Sequence, residues 1–291
     1  MGDGRVTAAP VLARAAPSRA RTTRLPGPRP AVRARLDCSL APDAAGRLRV
    51  HGTWSGPVHP VHHPTSRGPD VLVLTTDTAG LAAGDDLHLR VALAAGADVV
   101  VTDPGPTQLL PGSADDPGGT GRQTTEFAVA AGARLVVLPH ALVPLRRSRS
   151  RVDTVVRVEP GGRAVVGGVL APGRVSLGEV WVPDRLDTTT DLYLAGRLVA
   201  RDAQRVEAAP GALREEGHLV GALVAGPADA ELLARVRAAA GECAGVSALS
   251  DDLLALRALV ATQHEAAALL RAVTEVVHPD LAGWGWSRIG R

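Results

Sequence analysis

The stretch LRVALAAGADVVVTDPG (89–105) decides how this chain folds. It places a valine-rich run before a turn at Gly96 and a second valine-rich run after it, ending on an acid. The same unit returns as FAVAAGARLVVLPH (127–140), turning at Gly132, and as VRVEPGGRAVVGGVLAPGR (156–174), turning at Gly161. The turn glycines stand 36 and 29 residues apart, so inserted loops, not a strict period, separate the copies. Self-similarity of this kind predicts stacked β-coils or a succession of hairpins that share one continuous core. The expected class is mainly β: a β-helix-like stack of strands with a C-terminal section containing two helices.

Working outward, short apolar and alternating runs punctuated by Gly, Pro and Asp continue through 34–225 and predict further strands. These are Ala34–Leu40, Leu48–Thr53, Val71–Thr75, Glu179–Val182, Asp191–Leu194 and Arg197–Asp202, beside those inside the repeated units. Gly112–Gly121 is polar and glycine-rich and reads as a loop. From 226 to 291 the pattern changes. Pro227 opens a helical stretch with Leu232, Leu233, Val236 and Ala240 on one face and Gly241 as its stop. Thr262–Val277 repeats that character with Ala266, Leu269, Leu270 and Val273. Between the two, the turn at Asp251-Asp252 favours a hairpin over one long helix. Residues 1–30 are rich in Arg and Pro and read as a disordered tail, leaving 31–291 as a single domain.

Charge and composition exclude several function classes. The 291-residue chain contains no lysine, so all 32 of its basic side chains are arginine. Residues 1–35 hold eight of these against the single acid Asp3, which leaves 24 Arg against 29 acids, a formal −5, in the remainder. A mildly acidic body with one Phe, one Tyr and four Trp offers neither the basic face nor the stacking platforms that nucleic acid requires. Without the lysine amine there is no phosphate-binding GxxxxGK[ST] loop and no Schiff-base or pyridoxal chemistry. No nucleophile elbow, HExxH or CxxC is present. The two cysteines, Cys38 and Cys243, suit a reducing cytoplasm. No apolar run reaches the 18–20 or so residues that span a bilayer, so no membrane partner is expected.

Two constellations carry chemistry. GPVHPVHHP (56–64) holds His59, His62 and His63, whose imidazoles are good ligands for nickel, zinc or copper. Pro57, Pro60 and Pro64 keep the segment extended, which sends neighbouring side chains to opposite sides, so exposed loop histidines are expected and a metal site is the weaker alternative. The second constellation runs through GLAAGDDL (80–87), VTDPGPTQLL (101–110), Leu138-Pro139 and APGRVSLGE (171–179). There Gly80, Gly84, Gly173 and Gly178 supply turn backbone, and Asp85, Asp103 and Glu179 place carboxylates at the ends of coils.

The order of these motifs resembles the urease accessory protein family UreD, called UreH in some organisms. The matching residues are Gly80, Leu81, Gly84 and Asp85; Thr102, Pro104 and Thr107; Leu138 and Pro139; Gly173, Arg174, Gly178 and Glu179; and Gly196, Arg197 and Asp202. The chain departs from the family pattern with Ala79 and Ala83 for glycines, Gln108 for a lysine and Gly168 for a glutamate. The resemblance implies a β-helical fold with two helices and a non-enzymatic chaperone. Such a protein binds apo-urease and a UreF-type accessory protein, which in turn recruits a UreG-type GTPase, and it helps insert nickel. It holds no stable cofactor, only nickel in transit. Along a nickel route or as a structural rim the resemblance places Asp85 and Glu179, with Asp103 and Thr102, and Arg174 paired to one of the acids. Competing readings are a β-solenoid hydrolase or lyase acting on carbohydrate through Asp85, Asp86, Asp103 and Glu179, and a stand-alone metal-binding module built on the three histidines.

Overall fold

A computed structural model describes residues 30–112, 118–208 and 217–284; the tail expected at 1–30 lies, save for Pro30, outside the described residues, as does the middle of the loop expected at Gly112–Gly121. In chain order the strands are β1 (Arg33–Pro42), β2 (Leu48–Ser55), β3 (Val58–His63), β4 (Asp70–Thr76), β5 (Asp86–Leu93), β6 (Asp98–Thr102), β7 (Thr107–Leu109), β8 (Gly121–Val129) and β9 (Arg134–Val137). They continue as β10 (Leu142–Pro144), β11 (Arg149–Val158), β12 (Arg163–Leu170), β13 (Arg185–Leu194), β14 (Arg197–Val206), β15 (His218–Ala225), β16 (Ala244–Ser250) and β17 (Leu253–Val260). Helix α1 (Ala230–Ala240) precedes the β16–β17 hairpin, and α2 (Gln263–Val277) follows it.

The strands form two open sheets. The first runs β14-β13-β11-β8-β5-β1-β2, and the second runs β16-β17-β15-β12-β9-β6-β4-β3, with β7 and β10 attached at its side. Each repeated unit contributes one strand to each sheet, and successive units pair in parallel: Val91, Phe127, Val156 and Leu192 align across the first sheet, and Val100, Val136 and Val165 across the second. The units are therefore coils and not hairpins. All three cross between the sheets by the same tight turn, in which Ala97, Ala133 and Gly162 N–H donate back three residues. Gly96, Gly132 and Gly161 each take a positive φ there, of 78°, 72° and 83°, which glycine adopts without steric cost.

Solvent exposure explains why the two halves of a unit look different. First-sheet strands have one wet face, so β1 and β5 alternate buried and exposed residues. The central strands of the second sheet are largely covered on both faces, so β6, β9, β12 and β15 are nearly continuous apolar runs. One core, with Leu36, Val91, Phe127 and Val156, lies between the sheets. Another, with Val100, Val136, Val165, Leu270 and Val273, lies between the second sheet and the helices. At Gly167 a Cβ would stand 2.9 Å from Leu270 Cδ1, so the missing side chain is what lets α2 seat.

The helices begin where their caps place them. Asp229 accepts a hydrogen bond from Leu232 N–H at 2.7 Å, and Thr262 accepts one from Glu265 N–H at 3.1 Å, each satisfying an amide that the first turn leaves orphaned. Gly241, with φ of 71°, ends α1. The hairpin expected around Asp251-Asp252 is β16–β17.

Two expectations are corrected. Glu179–Val182 is not a strand; it follows a 3-10 turn (Val175–Leu177) and runs irregularly, because Glu179 is held by Arg174 and Trp181 takes a φ of 51°. His59–His63 is not a loop but part of β3, antiparallel to β4 at the edge of the second sheet. Pro60 is tolerated there because an edge strand can spare the amide that proline lacks.

Candidate functional site

Inward-facing residues of the first sheet line up in rows, and neighbouring rows differ in chemistry. One row reads Cys38, Val91, Phe127, Val156 and Leu192, all buried and apolar. Two residues along the strands, the next row reads Leu36, Leu89, Thr125, Thr154, Thr190 and Asp202. Beyond it stand Gln123, Val152, Thr188 and Gln204. Along these rows the sheets border a partly open cavity of about 380 Å³. Thr76, Thr102, Asp103, His140, Gly168 and Gly221 contribute the second-sheet side of its lining.

At one end, Thr102 donates its hydroxyl proton to the Leu138 carbonyl at 2.8 Å. Asp103 accepts from His140 N–H at 2.9 Å, and the same oxygen lies 2.6 Å from His140 Nδ1. That hydrogen bond raises the imidazole above its ordinary pKa, against the opposing effect of burial. The motif TDP followed by LPH thus folds into one polar rim, because β6 and β9 are parallel neighbours and both end there. At the other end, Asp202 on β14 forms an ion pair with Arg257 on β17, a link from the first sheet to the second. The pair rests on bare backbone: a Cβ at Gly221 would stand 3.2 Å from Arg257 Nη1 and 3.3 Å from Asp202 Oδ2. Gly168, across from Gly221 in the β12–β15 ladder, has nothing within 4 Å of the place a Cβ would take, so a side chain there would extend into the cavity.

Of the residues singled out from sequence, Gly80, Leu81, Thr102, Asp103, Pro104, Thr107, Pro139, Gly168 and Asp202 line this cavity. Gly80, with φ of 140°, permits close approach, since a Cβ would stand 2.2 Å from the Gln108 carbonyl oxygen. Asp85 is buried beneath the turn that follows; its two oxygens accept from Val32 and Ala82 N–H, each at 2.8 Å. Gly84 (φ 81°) completes that turn. Glu179 and Arg174 pair bidentately, at 2.9 and 2.7 Å, in a separate loop. The guanidinium holds the Glu179 carboxyl below its usual range. Gly173 (φ 127°) and Gly178 (φ 69°) bracket the pair. Neither Asp85 nor Glu179 is among the described lining residues, and Asp86 pairs with His88 at 3.2 Å.

The histidines do not converge. His62 Nε2 lies 2.8 Å from Asp70, His59 Nδ1 lies 3.9 Å from Asp77, and strand alternation turns His62 away from His59 and His63. Among the described residues no three His, Cys, Asp or Glu side chains are placed to share a metal ion.

His140, Thr154, Thr190 and Arg257 were not singled out as site residues from sequence. The readable signal was threonine or glutamine at in-phase positions of strands that are otherwise apolar inside, as at Gln123, Thr125 and Thr154.

Comparison with known proteins places the chain among others of one description. The profile of the family described as UreD urease accessory protein matches residues 32–287. A urease accessory protein UreD of Pseudomonas fluorescens strain Pf-5 is 28% identical over 262 residues, covering 87% of this chain and 92% of that protein. The protein of the same name from P. fluorescens strain Pf0-1 is 30% identical, over 78% of this chain and 83% of its own length. That from Mycolicibacterium gilvum is 31% identical, over 73% and 80%.

Proposed function

Because the chain belongs to the UreD urease accessory protein family, we propose that it acts in urease maturation as a non-catalytic chaperone that helps insert nickel into the apo-enzyme. In this reading it bridges apo-urease and a UreF-type accessory protein, and through the latter a UreG-type GTPase. The observation that carries the reading is the space between the sheets in which oxygens of Thr102, Asp103, Thr125, Thr154, Thr190 and Asp202 are set among apolar side chains. Nickel is the cargo, and cargo has to be released. Imidazole and thiolate sets bind divalent nickel firmly, whereas hydroxyl, amide and single carboxylate oxygens hold it weakly enough to pass on.

The residues divide by task under this proposal. Thr102, Asp103, Thr125, Thr154, Thr190 and Asp202 line the route. Asp85 and Glu179 hold the turns that shape its surroundings, each through hydrogen bonds to its own neighbours. Cys38 is buried and Cys243 exposed, both as thiols, which accords with work in the reducing cytoplasm. No described helix is long and apolar enough to cross a membrane.

The test is co-expression of the urease subunits and the other accessory proteins with and without this chain, reading nickel content and urea hydrolysis of the purified urease. Omission is expected to lower both together. Equal nickel loading with and without the chain would overturn the proposal.

A further inference from the structure

Along their main paths the two sheets end in β14, β2, β16 and β3, and three of these edges carry residues that discourage a further strand from adding on. β14 bears Arg197, Arg201, Asp202 and Arg205, β2 bears Arg49 and His51, and β3 bears Pro60. Charge and proline at such positions keep the edges of folded proteins from pairing with other chains. The fourth edge, β16, reads AGVSALS and has neither. Its Gly245, Ser247, Ala248, Leu249 and Ser250 are exposed, Leu249 by 53%.

The register of β16 on β17 fixes which backbone groups this edge presents. Leu259 N–H donates to the Cys243 carbonyl, and that pair continues the ladder in which Gly245 opposes Arg257 and Ser247 opposes Ala255. Hydrogen bonding alternates residue by residue in an antiparallel pair, so Gly245 and Ser247 turn their backbone groups to β17, while Ala244, Val246 and Ala248 turn theirs outward. Two of the outward groups are engaged within the chain: Ala244 N–H with the Gly241 carbonyl at 3.4 Å, and the Val246 carbonyl with Arg237 Nε at 3.1 Å. A carbonyl has two lone pairs, so the bond from Arg237 does not close the edge at Val246.

We propose that β16 pairs antiparallel with β16 of a second copy of this chain, about a two-fold axis at Ser247. That register sets Val246 of each copy against Ala248 of the other, where each N–H meets the opposite carbonyl, twice by symmetry. It also brings Leu249, which the register shift between Ala248 and Ser250 leaves outside the ladder, to Gly245 of the other copy, where the place of a Cβ has nothing within 4 Å. An exposed leucine thus meets bare backbone, and an uncharged edge meets itself, which is why a second copy fits this strand. One pair of seven-residue strands covers less than the roughly 1,000 Å² of a durable interface, so the dimer is reversible, with a Kd on the order of 10–100 μM. The pairing is independent of the maturation role.

The test is sedimentation velocity of the purified full-length chain across that concentration range, for wild type, Ser247→Lys, Leu249→Lys and, as an exposed leucine on another edge, Leu198→Lys, with melting temperatures confirming that each variant folds. Wild type and Leu198→Lys are expected to pass from monomer to dimer together. Ser247→Lys sets two ammonium groups against each other at the axis and is expected to weaken the dimer roughly tenfold or more, as is Leu249→Lys. In a Cys243→Ser background, Ser247→Cys should give a disulfide-linked dimer on mild oxidation, and Ser250→Cys, away from the axis, should not. A wild type that stays monomeric throughout, or a dimer untouched by both edge lysines, overturns the proposal. Cross-linking through Ser250→Cys in place of Ser247→Cys overturns the axis. A monomeric wild type whose binding to the UreF-type protein is lost in Ser247→Lys overturns the second copy as occupant and assigns the edge to a strand of that protein.

Discussion

Two adjacent rows of one sheet do opposite things. Cys38, Val91, Val156 and Leu192 fill the space before them, with Phe127 of the same row reaching the cavity edge, while the row 2 residues away, from Leu89 through Thr125, Thr154 and Thr190 to Asp202, leaves about 380 Å³ open. The backbone is the same for both. A stack of coils therefore separates stability from function by row, with little conflict between them: the apolar row holds the sheets together, and the polar row need only avoid closing the gap.

The largest effect is expected where the apolar row is opened. Phe127→Ala removes a buried ring at the centre of that row and should cost roughly 3–5 kcal/mol, measured by urea denaturation. If it proved nearly neutral, the two rows would not differ in kind. An intermediate effect separates polar groups that face the cavity from one that does not. His278 is buried outside it, with no hydrogen-bond partner described for Nε2, and burial together with nearby Arg134 pushes its imidazole down to about 4. The unfolded chain takes up a proton that the folded chain refuses. Stability should therefore be full above about pH 6.5 and fall toward pH 4, by up to about 1.4 kcal/mol per pH unit. Comparing urea midpoints at pH 7 and pH 5 for wild type and His278→Gln isolates this contribution, and parallel profiles would remove His278 from the account. The smallest stability effect belongs to the polar row. Thr154→Val with Thr190→Val should change stability by less than about 1 kcal/mol, since hydroxyls facing a roomy polar space add little net stability. Nickel delivered to urease in co-expression should nonetheless drop; undiminished loading would mean that the row's polarity is incidental to passage.

Much of this fold can be read from residues 89–174, because glycine turns and apolar runs are local signals, and a helix cap such as Thr262 with Glu265 spans only four positions. The cavity was not readable in the same way. Thr125, Thr154, Thr190 and Asp202 lie 29, 36 and 12 residues apart and become a row only through pairing register. Arg257 reaches Asp202 only because β15 seats β17 at the end of the stack. The error at Glu179–Val182 has a local cause: VWV looks like a strand, but Glu179 is tied to Arg174 five residues earlier and Trp181 takes a positive φ, which holds the segment out of a strand. The histidine segment erred in the other direction, since three prolines outweighed an alternation that an edge strand accommodates.

One feature of the cavity also makes it addressable. Gly168 has an ordinary backbone conformation and open space before it. Once the exposed Cys243 is changed to serine, Gly168→Cys would place a label-reactive thiol at the cavity, where its Cβ meets no neighbouring atom within 4 Å. The protein thus offers a built-in observation port, through which the arrival of a paramagnetic ion could be timed while the rest of the molecule stays as it is.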